Sequence, residues 1–377
     1  MPECENPLWP CAMTGAAACL AGFDGITVII HGSSGCYYYP TTLLHAPLQG
    51  TFILENEVIF GSEARLHEVI GEVQGTGKRI AVVTTCVPAI LGEDIRSMLS
   101  SHDVILVDSP GFSGDFGKGY HAALSVLAPE TDPSVAGINI DGVSLFDPFY
   151  RGNVREVIRL LARAGVPVGL ILCRDRFDRV RHAAPFTIGT DGDLASGVGT
   201  FLGSTLGFEA LSETFSQIGH ALECADVEPV LADIRHEEER VVQACDKYLR
   251  RFDPPSVAIF SSFSYAAFAA RTLDRYLDAD ILCIGSRNGI KEDVPYPVET
   301  ATGLSDVQRL IGNCTPDLVI GSSFERSVKG EATFIGITPP LRGSVRLASH
   351  PLAGTEGVLF LIEAVLNACM DRQQSPS

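Results

Sequence analysis

No two cysteines in this 377-residue chain are spaced C-x-x-C, although there are eleven of them between Cys4 and Cys369. An odd, scattered set suits neither a secreted disulfide framework nor a zinc ribbon. Positive charge is short: 28 Lys and Arg stand against 46 Asp and Glu, a formal charge of −18. That leaves no cationic footprint on the scale that nucleic acid or anionic lipid needs. No apolar run reaches the roughly 18 residues of a membrane span, and Gly357 to Leu366 is both too short and interrupted by Glu363. The stretch up to Cys11 has no basic n-region and no apolar h-region, so it is not read as a signal peptide. The expected location is the cytoplasm, where thiols stay reduced. No short repeat or low-complexity tract occurs.

What is present is apolar. With 46% hydrophobic and 20% charged residues, the chain can bury sizeable cores and is not a disordered scaffold. Short runs such as Ile26 to Ile30, Ile80 to Thr85, Val104 to Val107, Val135 to Ile140, Val168 to Leu172, Val257 to Phe260, Ile281 to Ile284, Leu318 to Ile320 and Thr333 to Ile337 are apolar at consecutive positions. Strands buried on both faces read this way, which implies mainly parallel sheets covered by helices. Between them Leu66, Ile70 and Val73 keep a helical period. Asn153 with Glu156 makes a capping-box-like start for the helix carrying Val157, Leu160 and Leu161. The alternation predicts an α/β fold of three Rossmann-like doubly wound domains. Polar, proline-rich breaks near Pro129 to Pro133 and Asp253 to Pro255 put the domains at 1–130, 131–253 and 254–377, the middle one ending in a long helix near Ala232 to Arg251.

Three cysteines in the first domain carry the chemistry. Cys36 ends His31-Gly-Ser-Ser-Gly-Cys36 directly after one strand, and Cys86 follows Thr84-Thr85 directly after another. The carboxyl ends of strands in an open parallel sheet face the ligand crevice, so both thiols belong on one edge. A helix opening at such a cysteine stabilises its thiolate. Cys11 is expected in a loop before the first strand that folds over that edge. Three thiolates on one rim suit an iron–sulfur site, while a cysteine taken singly is more often a small buried hydrophobe, and for these three spacing alone leaves the two readings even. The remaining cysteines, from Cys173 to Cys369, read as core.

These segments resemble the cluster-binding segments of the nitrogenase component 1 superfamily. Cys11 to Ala16 matches its C-x-x-x-G-A context, His31 to Cys36 its H-G-x-x-G-C strand end, and Thr85 to Asp94 its T-C-x₅-G-D/E-D strand end. Glu55 to Gly61 is similar to the family's acidic strand ending in F-G. Ser109 to Gly114 with Tyr120 is similar to its P-G-F-x-G loop, Leu318 to Glu325 to its G-x-S-x-E segment, and Gly354 to Gly357 to its closing element before an apolar helix. The likeness runs the length of the chain and implies three Rossmann-like domains.

The resemblance implies that Cys11, Cys36 and Cys86 hold an iron–sulfur cluster, a 4Fe-4S cubane or a larger bridged cluster at a subunit interface. One chain gives three thiolates, so a fourth ligand or a second component 1 subunit completes the site, in a homodimer, a heterodimer or a 2+2 assembly. Cys4 and Cys19 are local candidates for the fourth ligand. ATP is expected only on a separate iron protein that delivers electrons. Gly75 to Lys78 precedes a strand instead of following one, and Gly111 to Gly119 do not form G-x-G-x-x-G, so neither is a nucleotide loop. Phe186 to Phe201 has no cysteine and Arg342 to Ala348 no histidine where nitrogenase anchors its cofactor, so nitrogen fixation is not the expected reaction. The implied function is the cluster-bearing catalytic component of an ATP-dependent reductase acting on a small or macrocyclic substrate, a tetrapyrrole among them. The alternative is a scaffold for metallocluster assembly. Arg174 to His182 is a basic stretch that either grips substrate carboxylates or balances Asp175 and Asp178 on the surface. Glu57, Glu93, Asp94 and Asp115 lie near the functional edge, as acids or helix caps.

Overall fold

The computed structural model describes residues 8–290, 294–343 and 345–374. Three sheets order them, and the recorded strand pairings are parallel. The first contains β1 (Ile26–His31), β2 (Gln49–Gly50), β3 (Arg79–Thr84) and β4 (Ile105–Val107) in the order β2-β1-β3-β4. The next contains β5 (Ile138–Asp141), β6 (Val168–Ile171), β7 (Phe186–Gly189) and β8 (Thr200–Ser204), ordered β6-β5-β7-β8. The last contains β9 (Ser256–Ser261), β10 (Asp280–Ser286), β11 (Val298–Thr300), β12 (Leu318–Gly321) and β13 (Thr333–Gly336), ordered β11-β10-β9-β12-β13. Two compact units divide the chain. One comprises 1–135, 143–146 and 170–185; the other comprises 136–142, 147–169 and 186–377.

In the first unit, strands β1 and β3 pair in register from Ile26 opposite Arg79 to His31 opposite Thr84. The chain passes from β1 to β2 on one side and then crosses to β3 on the other, so strand order reverses between β1 and β3. Such a switch point opens a crevice at the carboxyl ends of the two strands. Helix Glu63–Gln74 turns Leu66, Val69, Ile70 and Val73 onto Ile29, Ile80 and Val82. Each of these buried side chains contributes about 1.5–3 kcal/mol relative to exposure. Helices Ala12–Gly22 and Phe116–Leu127 cross backbone to backbone, because a Cβ on Gly15 would stand 1.8 Å from the Phe116 carbonyl oxygen and one on Gly119 1.7 Å from that of Ala12. Gly75 to Lys78 is the turn from helix Glu63–Gln74 into β3, as expected.

Four local expectations differ from the structure. Cys11 does not sit in a loop crossing the sheet edge but is the residue that caps helix Ala12–Gly22, whose alanine-rich run is buried nearly throughout. Glu55–Phe60 is a helix instead of a strand, since Glu57 Oε2 accepts from the Leu54 N–H at 2.8 Å and closes its first turn. Asn153 does not start a helix: helix Tyr150–Arg163 begins earlier, and Asn153 Oδ1 accepts from the Leu352 and Ala353 N–H groups instead. Strands β2, β7, β8 and β11 were not expected; they are two to five residues long and rich in Gly, Thr and Ser. Among the described residues no helix is long and apolar enough to cross a membrane.

Candidate functional site

The crevice at the ends of β1 and β3 is built by backbone ties between loops. Thr85 Oγ1 donates to the His31 carbonyl at 2.9 Å. Gly32 makes this approach possible, because a Cβ there would lie 2.0 Å from Thr85 Oγ1. The turn bearing Cys36 is thereby clasped to the turn bearing Cys86. Thr84 Oγ1 donates to Asp108 at 2.6 Å and accepts from the Ser109 N–H at 3.0 Å, which fixes the loop leading to Gly111. Cys11 bridges Asp115, and the Ala12 N–H donates to the Gly114 carbonyl at 3.0 Å. Three chain segments, far apart in sequence, are thus held to one rim.

The thiols converge there. A Cβ on Gly111 would stand 3.1 Å from both Cys11 Sγ and Cys86 Sγ, so the two sulfurs face one small gap that the glycine keeps open. Burial pushes the Cys36 thiol up in pKa, a hydrogen bond from Ser33 Oγ at 3.7 Å opposes this, and charge on Cys86 or Cys11 raises it further. All three are half-buried. Each lies at a helix N-terminus: Cys11 caps Ala12–Gly22, Cys36 is in the first turn of Ser34–Leu44, and Cys86 opens Cys86–Leu91. Free N–H groups and the positive end of the helix dipole favour thiolate and any anionic group it binds. Among the described residues no three His, Cys, Asp or Glu side chains are spaced to hold a single metal ion. A cubane spreads its ligands over separate irons, so its thiolates stand further apart than those of one ion. The donor set and the gap at Gly111 fit such a cluster.

Behind the rim lies a hydrogen-bond chain that sequence reading did not separate from the cysteine motif. The Gly32 N–H donates to Thr51 Oγ1 at 3.0 Å, and Thr51 Oγ1 lies 3.1 Å from His31 Nδ1. His31 Nε2 lies 3.0 Å from Ser62 Oγ, which donates to Glu93 Oε2 at 2.6 Å. All five groups are satisfied by neutral His31 with its proton on Nε2. Burial lowers its pKa to about 4 against the opposing field of Glu93. The only signal for this in the sequence was a histidine at a strand end.

The candidate acids serve structural bonds. Glu57 and Glu93 accept as described, Asp94 Oδ1 accepts from the Ser97 N–H at 3.1 Å, and Asp115 Oδ1 accepts from the Lys118 N–H at 3.0 Å. Cys19 is buried with its sulfur 3.4 Å from Cys173 Sγ, turned to the core. Cys4 lies outside the described residues. Cys173, Cys245, Cys283 and Cys369 are buried, Cys314 half-buried and Cys224 exposed. Part of the basic stretch is paired, Arg176 with Asp178 and Arg179 with Asp175 within it, and His182 Nδ1 lies 3.2 Å from Asp132 outside it.

The helices that carry or flank the thiols expose large apolar side chains: Phe60 is 84% exposed, Ile59 70%, Leu54 67% and Tyr38 61%, with Ile90, Leu91 and Phe112 also open. Apolar exposure on this scale around a polar site marks an interaction surface.

In the second unit a separate polar cluster is buried. Asp147 Oδ2 accepts from Tyr265 Oη at 2.7 Å and from Asn153 Nδ2 at 3.2 Å, and burial raises the Asp147 pKa to about 6. Burial, followed by the charges of Asp193 and Asp147, raises Asp191 as well.

Three parallel α/β sheets, with three thiols gathered at the switch point of the first, define a Rossmann-like class of fold. Residues 11–370 match the family model described as nitrogenase component 1 type oxidoreductase, and the chain belongs to this family. It is 25% identical over 315 residues to the nitrogenase iron-molybdenum cofactor biosynthesis protein NifE of Clostridium pasteurianum, covering 75% of this chain and 69% of that protein. It is 28% identical over 189 residues to a nitrogenase molybdenum-iron protein beta chain of Frankia alni, covering 43% of this chain and 36% of that one. The corresponding beta chain of Azotobacter vinelandii is 26% identical over 191 residues, 44% of this chain and 36% of its own length. The chain thus spans little more than a third of the beta chains it matches. A solved structure described as nitrogenase Cp1 at pH 6.5 superposes with a TM-score of 0.83 at 16% identity, covering 99% of this chain and 95% of that chain. It shares the fold of three parallel sheets.

Proposed function

We propose that Cys11, Cys36 and Cys86 hold an iron–sulfur cluster at an interface with a second component 1 type subunit, and that the chain is the catalytic component of an ATP-dependent reductase. The observation that carries this reading is the convergence of three half-buried thiols on one rim, two of them facing the gap at Gly111. When bound, the cluster supplies one-electron transfer at low potential. The chain's own residues do the rest. The three helix N-termini favour the thiolates, the Gly32–Thr85 clasp ties the Cys36 turn to the Cys86 turn, and the exposed Phe60 and Ile59 surface meets the partner subunit. Electrons arrive from an iron protein, which alone carries ATP. A tetrapyrrole fits as the substrate, since no thiol stands between Phe186 and Phe201 to anchor a nitrogenase-type cofactor.

Anaerobic purification is expected to give a brown protein with about four irons per cluster-bearing site. Cys36→Ala is expected to lose that iron while keeping its fold. An iron-free wild type, or a Cys36→Ala variant with full iron and activity, would refute the reading. Phe60→Glu is expected to weaken subunit association without altering the far-ultraviolet spectrum.

A second reading is favoured by the longer match to a cofactor biosynthesis protein, 315 residues against about 190 for the beta chains: the chain is a scaffold on which a metallocluster is assembled and passed on. Incubation with an iron-free acceptor separates the two. A scaffold gives up its iron to the acceptor; a reductase retains it through turnover.

A further inference from the structure

A cavity of about 510 Å³ in the second unit is lined by Arg326, Lys329, Arg342 and Arg346, and by Phe334 and Phe360. No Asp or Glu among the described residues lines it. Among the described residues none of the four cations forms an ion pair, and the side-chain bonds of Arg326, Lys329 and Arg346 run to backbone carbonyls. Arg326 Nη1 donates to Gly343 O at 3.3 Å, Arg346 Nη2 to Gly336 O at 2.6 Å, and Lys329 Nζ to Gly330 O at 3.3 Å and to Ala332 O. Carbonyls orient a cation but leave its charge in place. The field of Asp147 reaches Arg346, but that carboxylate is buried, engaged by Tyr265, and not part of the lining.

The contrast with the basic stretch at Arg174 to His182 is direct, since Arg176 and Arg179 there are matched by Asp178 and Asp175. In a chain where acids outnumber bases 46 to 28, four cations facing one cavity without an acid among them is an arrangement that self-repulsion opposes. An anion offsets it, and guanidinium groups bind planar acid groups through paired N–H bonds. The walls add an apolar component. Arg326 lies over the Phe334 ring at 5.9 Å, and His350 stacks on Phe360 at 4.9 Å with the rings 13° from parallel. Concave sites with apolar walls and a few convergent polar groups are the usual form of small-molecule pockets.

We propose that this cavity binds an organic anion with two or more carboxylates, its acid groups on Arg326, Arg342 and Arg346 and its apolar body against Phe334 and Phe360. Naming that anion as the substrate rests on the reductase reading above; the binding itself does not.

Calorimetric titration of the full chain with trimesate (benzene-1,3,5-tricarboxylate) tests it. Trimesate is expected to bind, its neutral trimethyl ester not to, and inorganic phosphate at equal ionic strength to bind more weakly. Arg342→Gln and Arg346→Gln, both at exposed positions, are each expected to weaken trimesate by about tenfold or more, the scale of one charged hydrogen bond. Arg176→Gln is the control and is expected to change nothing. Equal binding of the ester, equal binding of phosphate, or unchanged affinity in both arginine variants with unaltered melting curves would overturn the proposal. An iron-free chain that binds trimesate sinks the cluster reading alone. An iron-loaded chain that ignores trimesate sinks this one alone.

Discussion

Buried His31 makes the first unit acid-sensitive in a window that follows from its hydrogen bonds. It is fully buried, and its pKa falls from 6.5 to about 4 on folding. The native state therefore refuses a proton that the unfolded chain accepts between those values. Stability from this group is fully present above pH 6.5 and is lost as pH falls, until the loss levels off near pH 4. The linkage relation gives a loss of about 2 kcal/mol by pH 5 and about 3 kcal/mol at the acid limit. The structural cause is specific. A proton on Nδ1 points at Thr51 Oγ1, which already accepts from the Gly32 N–H, so the Thr51 hydroxyl loses its own acceptor. His31→Gln keeps a donor toward Ser62 but does not titrate. Urea unfolding of wild type and variant, both iron-free, at intervals between pH 7 and 4.5 measures the effect. The stability advantage of wild type is expected to shrink by about 2 kcal/mol from pH 7 to pH 5. A gap independent of pH, or one that widens toward acid, refutes the assignment of a neutral, tightly bonded imidazole.

Other expected outcomes are equally direct. Gly111→Ala adds a methyl 3.1 Å from two candidate ligand sulfurs, so iron per chain, measured by colorimetric assay after reconstitution, is expected to drop severalfold, while iron-free stability falls by no more than about 1–3 kcal/mol. Gly15→Ala meets a backbone carbonyl at 1.8 Å and is expected to cost more than about 3 kcal/mol in urea unfolding, since no side-chain rotation relieves it. Asp147 has its pKa raised to about 6 from 3.8, so its contribution has the opposite sign to that of His31. Stability is lost as pH rises from about 3.8 and the loss levels off above about 6, at about 3 kcal/mol, and Asp147→Asn is expected to remove this contribution from the profile between about pH 4 and 6.5. Arg287 and Glu325 form an ion pair with side chains 1% and 0% exposed. Arg287→Met alone is expected to cost about 3–5 kcal/mol by leaving a buried charge, and adding Glu325→Leu to recover only part of it, because the buried Ser322 N–H and hydroxyl then lose the carboxylate that accepts from them.

The sequence announced those parts of the fold where one local rule decides the outcome. Ile26 to Ile30 and Ile80 to Val83 are apolar on every residue because both faces of β1 and β3 are covered, and a pattern of that kind has few other readings. Cys36 and Cys86 were legible at the sheet edge for the same reason: each follows such a run. Strands β2, β7, β8 and β11 were not legible, because two to five residues with Gly, Ser or Thr carry no period and are strands only through their neighbours. Glu55–Phe60 shows an acidic side chain outweighing β-branched Val58 and Ile59 by closing a helical turn. Asn153 has the identity of a cap and the role of a bracket, its amide holding Leu352 and Ala353 some 200 positions on. The basic cavity escaped for a related reason. Its cations lie on the helix after β12 and on the segment after β13, so only the folded parallel pairing of those strands shows them to share one wall.

The crossing at Gly15 and Gly119 has a consequence for the order of events in the cell. It seats the helix that Cys11 caps, and the Gly32–Thr85 clasp seats the other two turns, both through contacts between the chain's own atoms. In a zinc finger the metal is the folding energy and the empty chain is a coil. Here the ties among the three turns are made by the chain's own atoms, so on the proposed reading the chain is expected to fold first and take up a cluster in a separate step.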